Sequence, residues 1–100
     1  MKTREWTFLT NHGRVLAFLT KRPRITTREI AYEVGVTERA IQKVIADLET
    51  GGYVVRHKEG RRNRYTVRPE QPMRHQMEHE HVVADLLLAL GCDLEEIGRN

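Results

Sequence analysis

Apolar residues in the first half of the chain recur at the three- and four-residue spacing of helices that bury one face. Val15, Leu16, Phe18 and Leu19 follow it from a helix start at Thr10-Asn11 to Lys21, and Pro23 blocks continuation. Thr26-Thr27-Arg28-Glu29 sets Thr and Glu three apart, the spacing of a capping box. A second helix is expected from there to Val34, with Ile30, Ala31 and Val34 inward. Gly35 ends it, because glycine takes the left-handed conformation there without a Cβ clash. Thr37 is placed to cap a third helix almost at once. That helix collects Ala40, Ile41, Val44, Ile45 and Leu48 on one face and Glu38, Arg39, Gln42, Lys43 and Ala46 on the other. Gly51-Gly52 stops it. Upstream, Trp6 and Phe8 alternate with Glu5 and Thr7 and read as an arm packed on the domain or on a partner.

The period then changes. Tyr53-Val54-Val55-Arg56-His57-Lys58 is rich in β-formers, and Arg64-Tyr65-Thr66-Val67-Arg68 alternates, with Tyr65 and Val67 on one face. Glu59-Gly60-Arg61-Arg62-Asn63 between them reads as a hairpin tip. Pro69 and Pro72 bracket a linker. A last helix is expected from Met73 to Leu90, stopped by Gly91, with room for one more turn over residues 93–97. Residues 82–90 read VVADLLLAL, in which only Asp85 is not apolar. A helix apolar nearly all round needs cover on more than one side. Val83, Leu86, Leu87 and Leu90 are therefore expected to meet a partner helix, with Val82 and Leu88 toward the parent domain or the other chain.

Two helices joined by a short turn containing glycine form a helix-turn-helix, in which the first helix braces the second so that it protrudes. A B-DNA major groove admits such a helix. The segment EIAYEVGVTERAIQKVIADLETGGYVVR, followed by EGRRNRYTV, resembles the winged helix-turn-helix transcriptional regulators, in the broad group that contains the MarR and ArsR families. The resemblance covers roughly residues 10–68. It implies a mainly α fold with a small β-hairpin: a recognition helix at Thr37 to Thr50 and a wing at Tyr53 to Arg68. The expected organisation is a DNA-binding domain with an N-terminal arm over residues 1–68 and a linker with a C-terminal dimerisation helix over 69–100. The nearly all-apolar last helix leads to the expectation of a homodimer, and a two-fold dimer would present two recognition helices to a pseudo-palindromic double-stranded operator. Such a regulator acts by occluding a promoter, as a repressor, or by recruitment to it.

Charge fits this division. Residues 1–68 hold fifteen Lys or Arg against seven Asp or Glu, a net +8, whereas residues 69–100 hold two against seven, a net −5. The basic part is the candidate for a polyanion. On the third helix, Arg39 suits guanine, Gln42 adenine, and Lys43 guanine or phosphate. Thr37 could add a phosphate contact to its capping role. Glu38 suits the positive helix start and could instead accept from cytosine. Arg61, Arg62 and Arg64 at the hairpin suit phosphate or minor-groove contact, and Arg28 is a further phosphate candidate.

Other chemistry finds less to work with. His75 and His79 stand four apart on the expected last helix, as half a zinc or nickel site would require, but a partner chain would have to complete the ligand set. Cys92, the one cysteine, has acidic neighbours Asp93, Glu95 and Glu96 that disfavour a thiolate. No Ser-His-Asp arrangement, phosphate loop or carboxylate pair argues for an enzyme, and no cofactor is called for. The start MKTREWTFLTNHGR lacks the apolar run of a secretory signal, and no run is long enough to span a bilayer, so a soluble cytoplasmic protein is expected. Two rivals stand beside the DNA-binding regulator: a winged-helix protein-interaction module and a metal-responsive repressor.

Overall fold

The computed structural model describes residues 6–93. Three helices, α1 (Asn11–Lys21), α2 (Thr27–Val34) and α3 (Glu38–Thr50), are followed by a hairpin of β1 (Val54–Glu59) and β2 (Arg62–Val67) and by a short α4 (Val83–Ala89). The capping box forms as the sequence predicts. The Glu29 amide donates to Thr26 Oγ1 (3.1 Å) and the Thr26 amide to Glu29 Oε1 (2.9 Å). Gly35 closes α2 at φ 87°, with its amide donating to the Ala31 carbonyl. Thr37 Oγ1 then accepts from the Ala40 amide (3.0 Å) to start α3. These local devices fix the angle between α2 and α3 before any tertiary contact is counted.

The inward faces converge on a single core. Val15, Leu16 and Leu19 of α1, Ile30 and Ala31 of α2, and Ile41, Val44, Ile45 and Leu48 of α3 are buried there. The antiparallel hairpin is in register from Val54 opposite Val67 to Glu59 opposite Arg62. Its loop is therefore only Gly60-Arg61, with Gly60 at φ 62°. Arg62 and Asn63, expected in the tip, belong to β2. Tyr65 and Val67 point inward as the alternation requires. The Tyr65 amide also donates to the Pro23 carbonyl (2.9 Å), which ties the loop between α1 and α2 to the wing.

The last helix departs from expectation. It begins at Val83 and spans 7 residues, not 73–90. The chain from 72 to 82 instead closes on itself: Pro72 and Val82 form an antiparallel bridge, and the Met73 amide donates to the His81 carbonyl (2.9 Å). Residues 74–80 are exposed and carry no apolar face that a helix could bury. Helix propensity is a weak preference that tertiary contacts override. The first amides of α4 are satisfied from outside the helix, Val83 by the Gln71 carbonyl and Ala84 by that of Pro69, while Asp85 accepts from the Val82 amide.

The same contacts turn α4 inward. Val83 (3% exposed) and Leu87 (0%) lie in the chain's own core with Cys92, whereas the sequence had them facing a partner. A helix this short, apolar on nearly every side, has one side covered by its own domain. Full burial of Leu87 contributes roughly 1.5–3 kcal/mol. Leu86 and Leu90 are half-buried and Leu88 is 51% exposed. No helix among the described residues is long and apolar enough to cross a membrane.

Candidate nucleic-acid interface

The outer face of α3 is set by what holds its inner face. With Ile41 fully buried and Val44, Ile45 and Leu48 at most 7% exposed, Arg39, Gln42, Lys43 and Ala46 must face water. Arg39 and Gln42 have no hydrogen-bond or ion-pair partner among the described residues, so their donors and acceptors are available. Lys43 is less free: its Nζ lies 3.9 Å from Asp47 Oδ1, one turn on. Asp47 accepts from the His12 Nε2–H (2.8 Å), which pins the start of α1 to the last turn of α3. That hydrogen bond, followed by the charges of Lys43, His12 and Arg74, holds the Asp47 carboxyl below its usual value.

Glu38 stands in the first turn of α3, as the helix-start expectation has it, and takes a further role. Its Oε2 accepts from the Thr27 hydroxyl (2.7 Å), joining the first turns of α2 and α3. Both N-termini therefore lie on one side of the motif, with exposed Arg28 one residue from that bond. The wing reaches the same neighbourhood. Arg22 and Arg62 are near enough to Glu29, in the first turn of α2, to help lower its carboxyl pKa, although its hydrogen bonds to Thr26 contribute more. The Arg62 Nη1–H donates to the Arg24 carbonyl (3.1 Å). The starts of α2 and α3 and the basic end of the wing thus lie near one another.

Within the wing, the three expected arginines differ. Arg61, in the loop, is exposed and without a partner among the described residues. Arg62 spends one donor on the Arg24 carbonyl. Arg64 Nε lies 2.8 Å from Glu59 Oε2, and Arg24 Nε lies 2.9 Å from Glu59 Oε1. Neither Arg24 nor Glu59 stood out in the sequence. The signal was present in the run Lys21-Arg22-Pro23-Arg24, but only the folded loop brings it to the wing.

The remaining candidates are dispersed. His75 and His79 do not share a helical face: His75 Nδ1 accepts from the Met77 amide, and His79 Nδ1–H donates to the Gln76 carbonyl. His81 pairs with Asp85 (3.4 Å). Among the described residues no group of three or more His, Cys, Asp or Glu is arranged to hold a metal. Cys92 is buried, and that burial pushes its thiol pKa up against the opposing charge of Lys21. The expected direction holds, but through desolvation; Glu95 and Glu96, which had been expected to cause it, lie outside the described residues.

A braced second helix with an open polar face, followed by a basic hairpin, defines the winged helix-turn-helix class. The chain belongs to the helix-turn-helix (HTH) domain family, whose pattern matches residues 13–64. Among solved structures the fold is similar to that of MepR, a transcription regulator of the Staphylococcus aureus multidrug efflux pump MepA. The TM-score is 0.55 at 16% identity, over 83% of this chain and 58% of that one. The chain thus matches little more than half the length of that regulator. Comparison with curated proteins gives no match.

Proposed function

We propose that this protein is a sequence-specific, double-stranded-DNA-binding transcription regulator that works as a homodimer. Helix α3 enters the major groove, where Arg39, Gln42 and Lys43 read base edges. Thr37 and Arg28 approach the flanking phosphates, and the wing holds the backbone or minor groove through Arg61, Arg62 and Arg64. Glu38, bonded to Thr27, orients the start of α3 instead of reading cytosine. The observation that carries this reading is the outer face of α3: Arg39 and Gln42 stand exposed and unpaired on a helix whose other face is locked into the core. The family and the similarity to a regulator support the same class.

The dimer rests on α4. With Val83 and Leu87 turned inward, Leu86 and Leu90 remain of the expected set, and Leu88 joins them on the outer side. A two-fold dimer presents two recognition helices, so the operator is a pseudo-palindrome with half-site centres about 10–10.5 bp apart or a multiple of that. Sedimentation and duplex titration test both parts. The reading expects a dimer at micromolar concentration, weakened by Leu88→Lys, and duplex affinity that falls steeply with salt. Salt-insensitive or absent duplex binding would instead favour a protein-interaction module.

A further inference from the structure

The ion pairs at the turn end of the wing stand apart from the rest of the surface. One carboxylate, Glu59, is shared by two guanidinium groups that come from different elements. Arg24, in the loop between α1 and α2, approaches Oε1 at 2.9 Å, and Arg64, on β2, approaches Oε2 at 2.8 Å. Arg62 closes the group through the Arg24 carbonyl. Both carboxylate contacts use the Nε edge. A guanidinium carries five N–H donors, so most of the Arg24 donors remain unspent.

Stability does not account for this arrangement. Ion pairs open to solvent contribute little to folding, and the side chains here are from 33% (Arg64) to 60% (Arg24) exposed. The seam is already held by the Tyr65 amide on the Pro23 carbonyl and by the burial of Tyr65 and Val67. Convergent arginines recognise carboxylates and phosphates by the same forked geometry. A phosphodiester and a carboxylate each carry one negative charge on two accepting oxygens. Glu59 therefore sits where convergent arginines would take a backbone phosphate.

We propose that Arg24, Arg62 and Arg64 form a phosphodiester site at the seam of the α1–α2 loop and the wing, and that Glu59 fills it in the free protein and yields it to DNA. The proposal rests on the DNA-binding reading above and adds two residues to it, Arg24 as a backbone contact and Glu59 as a restraint. Each phosphate bound there must displace a carboxylate, so part of the electrostatic gain is lost on every duplex alike. The restraint lowers sequence-independent affinity and leaves base readout by α3 untouched. A mere brace acts in the opposite sense: removing its charge loosens the wing and weakens binding.

The test compares the full chain with Glu59→Gln, Arg24→Ala and the double variant, titrated onto an operator selected by the wild type and onto an unrelated duplex across a salt series. Glu59→Gln is expected to tighten both duplexes by the same factor, about tenfold per chain near 0.1 M salt, and to steepen the salt slope by about 0.9 per chain. Arg24→Ala is expected to make the slope shallower by a similar amount, and in its background the gain from Glu59→Gln should shrink. Weaker or unchanged binding by a Glu59→Gln protein that melts like the wild type would overturn the proposal. So would an unchanged slope for Arg24→Ala, a readout that does not depend on how Glu59→Gln folds. If the wild type binds no duplex at all, the regulator reading fails and takes this one with it. If it binds with a preference that depends on Arg39 while Glu59 and Arg24 have no effect, only this inference fails.

Discussion

The outer face of α3 and the seam of the wing are both rich in donors, yet they keep them differently. On α3, Arg39 and Gln42 are unpaired, and their positions are set by a buried face on the other side of the same helix. At the seam, Arg24 and Arg64 are already engaged with Glu59, and the hairpin that carries Arg64 has only two strands. A fixed frame with free donors suits discrimination, because a misplaced base finds groups that cannot adjust. Charges held by an exchangeable carboxylate suit contacts that are alike at every sequence. In the regulator proposed above, this difference would give specificity to the helix and affinity to the wing.

The largest effect should come from removing the frame. Ile41 is fully buried beneath the exposed face of α3, so Ile41→Ala is expected to cost about 2–5 kcal/mol in urea denaturation. A loss below roughly 1 kcal/mol would mean that packing does not fix α3. Next, Arg39→Ala should cost about 1–3 kcal/mol against an operator whose matching base pair is kept, and almost nothing once that pair is changed. An equal loss on every duplex would place Arg39 among the backbone contacts and erase the contrast with the wing. Thr37→Ala removes the cap that starts α3 and should lower stability by about 1 kcal/mol. Its loss should exceed that of a substitution at the exposed, uncapped Ala46, measured by thermal melting.

The smallest effect is electrostatic. Hydrogen bonds and neighbouring cations lower the Asp47 and Glu59 carboxyl pKa values in the folded chain. Between the folded and unfolded values the unfolded chain binds more protons. Their contribution is therefore present above the unfolded carboxylate pKa and is lost as the pH falls through the folded one. Both groups are exposed, so salt should flatten the dependence. Urea midpoints followed downward through the carboxylate range should fall less steeply for Asp47→Asn and for Glu59→Gln than for the wild type. Identical slopes would show that His12 and the two arginines do not act on these carboxylates in solution.

What the sequence revealed divides along the same physical line. The capping box at Thr26 and Glu29, the left-handed Gly35, the cap at Thr37 and the inward Tyr65 and Val67 each depend on neighbours a few residues away, and each was legible. The helix from residue 73 was not. Met73 to His81 contains no residue that forbids a helix, and the apolar run after it extended the pattern upstream. The deciding contacts were the Pro72–Val82 bridge and the linker carbonyls that receive the α4 amides. Those pairings join segments whose proximity no local pattern announces. The same holds for Val83 and Leu87, whose apolarity demanded burial without saying in which chain. It holds again for Arg24 and Glu59, 35 residues apart, and for His12 and Asp47 at the same separation. Local chemistry placed α3, and long-range pairing built the seam beside it.

The most direct measurement is selection from a random double-stranded DNA pool by the wild type, Arg39→Ala and Arg62→Ala. The account predicts an inverted repeat for the wild type. Arg39→Ala should lose preference at one position in each half-site, and Arg62→Ala should keep the wild-type profile while binding every sequence more weakly. Identical changes of profile in the two variants, or an altered profile for Arg62→Ala alone, would contradict the division of labour between helix and wing.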